Sequence, residues 1–163
     1  IGVEQDANAI AVMEDGLSDH VIVGDIWDFF EHESSGKYFG CVVMFDVLEH
    51  FSAGDGVRLL QKVKNILEPD GRIIIRVPNM SSPWGGQYQF GDLTHQAAYT
   101  PGSLRQLAIA SGLNCISCYP QIRGNNSRKI MSFIINKILS KTLLEPPEIW
   151  SGNFLGILQR KIE

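Results

Sequence analysis

The feature that most constrains this chain is an alternation: short runs rich in β-branched residues take turns with stretches of helical periodicity. Such alternation marks an α/β domain built on a mostly parallel sheet. Residues 1–5 read as the first strand, and Asp6 can cap a helix through Ala7, Ile10, Ala11 and Met13 that Gly16 stops. Residues 20–24 read as a second strand, followed by a short helical stretch around 27–31. Residues 40–45 are apolar on both faces, which predicts a central strand. A longer helix carries Leu59, Leu60, Val63, Ile66 and Leu67 on one stripe and stops at Pro69-Asp70-Gly71, a turn leading into a strand over 72–77. Residues 78–99 show no periodicity. Thr100-Pro101 opens the next helix, which ends at Gly112. A strand over 113–119, a helix over 127–144 and a last strand over 153–159 complete the chain. No repeat or linker interrupts the pattern, so one domain over 1–163 is expected.

Composition narrows the function. A net charge of −4 argues against a general nucleic-acid binder. No window approaches the roughly 18 uninterrupted apolar residues of a membrane span. Residues 1–4 carry no secretory signal, and a reducing cytoplasm is the expected location. The first residue is not Met, so a processed product or a fragment is expected. Cys115-Ile116-Ser117-Cys118 spells a C-x-x-C, but in a strand residues three apart point to opposite faces, and a second pair is missing. A zinc site is therefore not expected there.

In an open α/β sheet, ligands bind beyond the carboxyl ends of the strands. The residues at those places are Glu4-Gln5, Asp25-Ile26, the run 46–50, and the segment 78–100. A carboxylate can accept from two vicinal ribose hydroxyls, and a second from an adenine amino group. Strand-end acids are also ordinary helix caps. On a helical turn Asp46, Glu49 and His50 share a face, which suits a hard divalent cation or acid–base work. From pattern alone, a polar helix start is the simpler reading of that run.

Four stations in order, Gly-Val-Glu-Gln, Gly-Asp-Ile, Phe-Asp-Val-Leu-Glu-His-Phe and Leu-Glu-Pro-Asp-Gly-Arg-Ile-Ile-Ile-Arg-Val-Pro-Asn, resemble the class I S-adenosylmethionine-dependent methyltransferases. Gly91-Asp92-Leu93-Thr94-His95 and Tyr99-Thr100-Pro101-Gly102-Ser103-Leu104 resemble a subgroup associated with cell-surface polysaccharide biosynthesis. The resemblance implies a Rossmann-like, mostly parallel sheet ending in an antiparallel strand. It implies S-adenosylmethionine as cofactor, with Glu4 on the ribose hydroxyls and Gln5 beside the adenine. Asp25 would meet the adenine amino group, Ile26 the ring, and Phe45 and Asp46 the methionine part. Gly40 follows Phe39 where the family usually has Asp. The family's first strand and Gly-rich loop would precede Ile1. The gap they leave is expected to close up or to pair with another copy through exposed sheet edges, and the chain alone is expected to bind the cofactor weakly or not at all and to show little transferase activity.

The segment 78–99, with Trp84, Tyr88, Phe90 and His95, suits a lid on the acceptor side. His95 is either a general base or a residue bonded within the loop; His50 is the other candidate catalytic imidazole. Asp46, Glu49, His50 and His95 resemble the metal ligands of some ubiquinone-pathway and small-RNA methyltransferases, and would suit Mg²⁺ or Mn²⁺. The helix over 127–144 reads most simply as a cover for the sheet, with a membrane-surface or lipid-acceptor role as the other reading. The expected reaction is methyl transfer to an oxygen or nitrogen of a small-molecule, saccharide or lipid-linked acceptor. The rivals are a non-catalytic methyltransferase-like assembly domain and a nicotinamide-dependent dehydrogenase.

Overall fold

The two acid-terminated runs at the start of the sequence pair with each other. β1 (Gly2–Glu4) and β2 (Val21–Val23) lie parallel, with Glu4 opposite Val23, in a two-stranded sheet. Between them Asp6 caps α1 (Ala7–Ala11), its side chain accepting from the Asn8 amide at 2.8 Å. The helix is shorter than its apolar pattern suggests. Asp25 caps α2 (Ile26–Asp28) in the same way, and a π-helical turn (Phe29–Glu33) follows. Phe29 and Phe30 are buried against each other, ring centres 5.6 Å apart. These elements form one compact unit, Ile1–Tyr38, of a computed structural model that describes residues 1–14 and 16–161.

The second unit starts at Phe39. In chain order it holds β3 (Phe39–Phe45), α3 (Ala53–Asn65), β4 (Leu67–Pro78), α4 (Gly86–Gln89), α5 (Pro101–Ala110), β5 (Leu113–Pro120), α6 (Asn126–Thr142) and β6 (Asn153–Arg160). The sheet order is β3-β4-β6-β5, with β3 parallel to β4 and β6 antiparallel to both β4 and β5. Three strands therefore run one way and the last runs against them, as the sequence led us to expect.

Alternation along β4 locates the core. Ile73, Ile75 and Val77 are fully buried on one face, joined by Phe154 and Leu158 from β6. Leu59, Leu60 and Val63 of α3, and Leu104, Leu107 and Ala108 of α5, supply the buried helical residues. Helix α5 comes so close to β6 that a Cβ on Gly156 would sit 2.2 Å from Leu104 Cδ2. Its start is a reciprocal capping box between Thr100 and Ser103, with Pro101 in the first turn.

Five local expectations are corrected. Strand β3 is an edge of its sheet rather than central: it pairs with β4 alone, and Cys41, Val43 and Phe45 on one face are exposed. Helix α3 ends at Asn65, and Leu67, read as helical, begins β4, where Arg160 Nη2 bonds its carbonyl at 2.6 Å. The turn at 69–71 is absorbed as an irregularity between the pairs Phe39–Leu67 and Cys41–Arg72. The two cysteines of the C-x-x-C share a face. A register shift between Cys115 and Ser117 sets Cys115 opposite Leu158 and Cys118 opposite Gly156, leaving the sulfurs 3.7 Å apart. Finally, α6 has no buried residue and does not cover the sheet.

Candidate active site

Both acids of the first unit stand where the parallel pairing puts them, at neighbouring carboxyl ends. The Gly24 amide donates to the Glu4 carbonyl at 2.9 Å, holding the two ends together. Glu4 Oε1 accepts from the Asp6 amide at 2.9 Å, and Asp25 Oδ1 from the Trp27 amide at 2.7 Å. Each carboxylate is thus oriented through one oxygen while the other oxygen remains an acceptor. Glu4, Asp25 and Ile26 are half-buried and Gln5 is exposed. This set of acceptors fits a ligand that offers hydroxyl and amino protons, as a nucleoside does.

In the second unit Asp46 directly follows β3 with φ at 55°, a left-handed conformation rare for a residue with a side chain. It is held there by Arg76 of β4, whose Nε donates to Oδ1 at 3.0 Å and whose Nη2 donates to Oδ2. The Arg76 guanidinium also lies 4.7 Å from the centre of the Phe45 ring. The bond to Asp46 raises the Arg76 pKa above its ordinary value. Sequence reasoning missed Arg76. The available signal was a cation directly after an Ile-Ile-Ile run in a buried strand, where a half-buried charge requires a partner.

The following turn, Leu48–His50, carries the imidazole to the lid. The carbonyl of Glu49 accepts from the amides of Gln96 and Ala97 at 2.8 and 3.0 Å, which draws the lid onto this turn. The rings of His50 and His95 meet edge to face, 4.7 Å between centres. His95 Nδ1 lies 2.9 Å from the Gln89 carbonyl, an acceptor only, so Nδ1 carries the proton and Nε2 the lone pair. The Thr94 hydroxyl donates its single proton to Asp92 Oδ1 at 2.6 Å. His50 Nδ1, 2.9 Å from that hydroxyl, must therefore donate to it, and His50 Nε2 is bare as well. In the neutral ring, both imidazoles are set in the same tautomer by these partners.

Ligand atoms of His50, Asp92 and His95 lie within 4.8 Å of one another. Of the four ligands suggested by the sequence, His50 and His95 belong to this cluster. Asp46 is engaged by Arg76. Glu49 is buried, with neither carboxylate oxygen bonded among the described residues. Burial, reinforced by the charge of Asp46, pushes the Glu49 pKa up to about 7. The hydroxyl of Tyr99 is similarly buried and unbonded, and burial followed by the nearby Glu49 charge pushes it up to about 12. Asp92 is held below the usual carboxylate range by its bonds from Thr94. The sequence signal for Asp92 was its place in Asp92-Leu93-Thr94-His95, where a short loop can turn both ligands to one side.

At the same carboxyl edge lies a cavity of about 670 Å³, bounded by Trp84 of the lid, Arg123, Phe133 and Lys137 on the α6 side, and Trp150. Asn79 fixes the lid's base: its amide nitrogen donates to the carbonyls of Ile149 at 2.8 Å and Ser151 at 3.0 Å. Gly85 passes so close to the Asn79 carbonyl that a Cβ there would sit 1.8 Å from it.

Several solved methyltransferases share this fold. A S-adenosylmethionine-dependent methyltransferase from Archaeoglobus fulgidus matches with a TM-score of 0.70 at 19% identity, over 98% of this chain and 75% of that one. CcbJ from Streptomyces caelestis matches at 0.61 and 13% identity, over 99% and 74% of the two chains. The O-methyltransferase NcsB1, solved with S-adenosylhomocysteine and a dihydroxynaphthoic acid, matches at 0.56 and 15% identity over 86% of this chain and 34% of its own. At such identities these likenesses concern the fold. No curated protein sequence matches the chain. Residues 2–118 match a family described as a methyltransferase domain, and the chain belongs to that family of class I, S-adenosylmethionine-dependent methyltransferases.

Proposed function

We propose that this domain methylates an oxygen or nitrogen of a small-molecule, saccharide or lipid-linked acceptor, with His95 as the base. The observation that carries the reading is the tautomer of His95, whose protonated Nδ1 on the Gln89 carbonyl leaves Nε2 free to take a proton. When bound, S-adenosylmethionine supplies a methyl group whose bond to sulfur breaks as the acceptor atom bonds to carbon. Glu4 and Gln5 are assigned to the ribose and adenine, Asp25 and Ile26 to the adenine, and Phe45 and Asp46 to the methionine part. Within the second unit, Arg76 holds Asp46 in its left-handed conformation, so that carboxylate needs no rearrangement to accept a ligand's proton. Trp84 and Trp150 offer aromatic faces to a sugar or ring acceptor, and Arg123 and Lys137 favour one with negative charge.

The test combines titration and turnover. Adenosylhomocysteine is expected to bind in calorimetry where NAD does not, and Glu4→Gln and Asp25→Asn each weaken it about tenfold, the loss of one good hydrogen bond. His95→Ala lowers methyl transfer by about 10²–10⁴, the range of general-base catalysis. Binding of NAD in place of adenosylhomocysteine would return the dehydrogenase reading. Cofactor binding without turnover on a saccharide and phenol panel would favour the assembly reading.

A second reading rests on the same cluster: a divalent cation held by His50, Asp92 and His95, positioning acceptor oxygens. Two imidazoles and one carboxylate favour Mn²⁺ over Mg²⁺. The two readings compete for Nε2 of His95, so they separate cleanly. Turnover that survives chelator treatment supports the base; turnover restored only by Mn²⁺ supports the cation.

A further inference from the structure

Helix α6 is amphipathic the wrong way round for a helix that covers a sheet. Its residues Lys129, Ser132, Asn136 and Ser140, spaced three or four apart on one stripe, line the cavity together with Phe133 and Lys137. The opposite stripe is apolar and faces away from the protein. Ile130, Ile134 and Ile138 follow one another at four-residue steps with 60%, 45% and 57% of their surface exposed, and Met131 and Ile135 widen the band at 57% and 46%. A packed surface helix buries such a stripe. This one buries no residue at all, and the Trp150 indole donates to Ser140 Oγ in its last turns at 2.9 Å.

The charge around the stripe identifies what covers it. From Leu93 to Leu144 the sequence contains no Asp or Glu, whereas the chain as a whole is acidic at −4. On a helical projection Lys141 lies at one margin of the apolar band, beside Ile130, and Arg128 borders the other margin, while Lys137 turns to the cavity. Long cationic side chains bordering an apolar band can lay their stems along hydrocarbon and keep their charges at headgroup level. At 17 residues the helix is about 25 Å long, and no helix among the described residues is long and apolar enough to cross a membrane. A surface-lying helix meets all of these conditions, and an acidic protein partner would leave the broad isoleucine band uncovered.

We infer that α6 is an in-plane membrane helix that docks this domain on an anionic bilayer, with Ile130, Met131, Ile134, Ile135 and Ile138 entering the lipid and Arg128 and Lys141 pairing with lipid phosphates. The inference does not depend on the identity of the methyl acceptor. It would, however, bring the acceptor side of the domain to a surface where lipid-linked acceptors reside.

Vesicle co-sedimentation tests it with the whole chain. The protein should pellet with vesicles of phosphatidylglycerol and phosphatidylcholine, and bind pure phosphatidylcholine at least about tenfold more weakly. The double variant Ile134→Asp/Ile138→Asp should lose binding to both while melting as the parent does, since neither residue is packed. Arg128→Glu/Lys141→Glu should lose only the preference for anionic lipid. Three results would overturn the proposal: no pelleting with anionic vesicles, pelleting unchanged in the isoleucine variant, or a dimer in light scattering that the isoleucine variant dissociates with no lipid uptake by the parent. The last would assign the stripe to a second copy. Titration with adenosylhomocysteine in the absence of lipid stands apart, so failure here is distinguishable from failure of the methyltransferase reading.

Discussion

The lid and helix α6 both leave the sheet at its carboxyl edge, both are rich in apolar residues, and they are held in opposite ways. The lid is irregular, with only the short α4 inside it, yet it is anchored along its length. The Asn79 amide donates to the Gly152 carbonyl and the Met80 amide to the Tyr99 carbonyl, each at 2.8 Å, and Ser82 Oγ donates to the Trp150 carbonyl at 2.6 Å. Asn79, Ser82, Gln89 and Tyr99 are buried. Helix α6 is regular over 17 residues and buries none of them. Regular hydrogen bonding satisfies a helix internally, so it says nothing about tertiary anchorage; an irregular segment must find its partners elsewhere, and finding them fixes it in place.

If that contrast is right, the lid breaks at its polar anchors. Asn79→Ala has the largest expected effect. It leaves the carbonyls of Ile149 and Ser151 without this donor and the Ser81 amide and hydroxyl without their acceptor. At ~1–3 kcal/mol for each buried group left unpaired, partly offset by relaxation, the loss should be about 3 kcal/mol. For a chain of this size that lowers the melting temperature by roughly 6–12 °C. A shift below about 2 °C would mean that the lid is held by its chain ends rather than by Asn79.

A second prediction concerns the turn on which the lid rests. Glu49 is buried with its pKa raised to about 7, against 4.5 for the unfolded chain. Between those values the folded protein keeps a proton that the unfolded chain has released. The stability associated with Glu49 is therefore complete below about pH 4.5 and is lost as pH rises through about 7. Each pKa unit corresponds to about 1.4 kcal/mol, giving at most about 3 kcal/mol, and nearer 2 after relaxation. Glu49→Gln should remove this pH dependence and melt above the parent at pH 8. Parallel melting profiles of the two proteins from pH 5 to 8 would show instead that Glu49 finds a cation or donor in solution.

Most of the scaffold was legible because its signals are local. Period-two burial along β4, the Thr100-Pro101 cap and the acids closing the first two strands all depend on a few adjacent residues. What was not legible depends on pairing. Nothing near Cys115 announces that the strand slips by one residue at Ile116, and only the slip puts both sulfurs on one face. The expectation that β3 is central rested on its apolar composition, which does not reveal how many neighbours it has. At the site, His50 and His95 were identified from their motifs. Asp92 and Arg76 were missed because their roles arise from contacts 42 residues (92 minus 50) and 30 residues away in sequence. Amphipathicity likewise does not record which way a helix faces. The stripe that suggested α6 as a cover for the sheet is real, but it points outward.

The smallest expected effect sharpens the comparison most. Ile135→Ser removes a large apolar side chain from the middle of α6, a change that costs about 2–5 kcal/mol in a packed core. Here the side chain is 46% exposed on a helix with no buried residue, so the change should stay within about 0.5 kcal/mol, measured as melting in the absence of lipid. Amide exchange gives the same contrast without mutation. A helix of this length is marginal without tertiary support, so α6 should open locally at little cost and exchange early. The Gln96 and Ala97 amides, bonded to the Glu49 carbonyl on a buried turn, should exchange late although they belong to no regular element. Anionic vesicles should then slow exchange in α6 and leave the lid unchanged. Amides in α6 as protected as those of β4 in plain buffer, together with a costly Ile135→Ser, would mean that the outward stripe is already covered in solution, and the contrast between the two segments would fail.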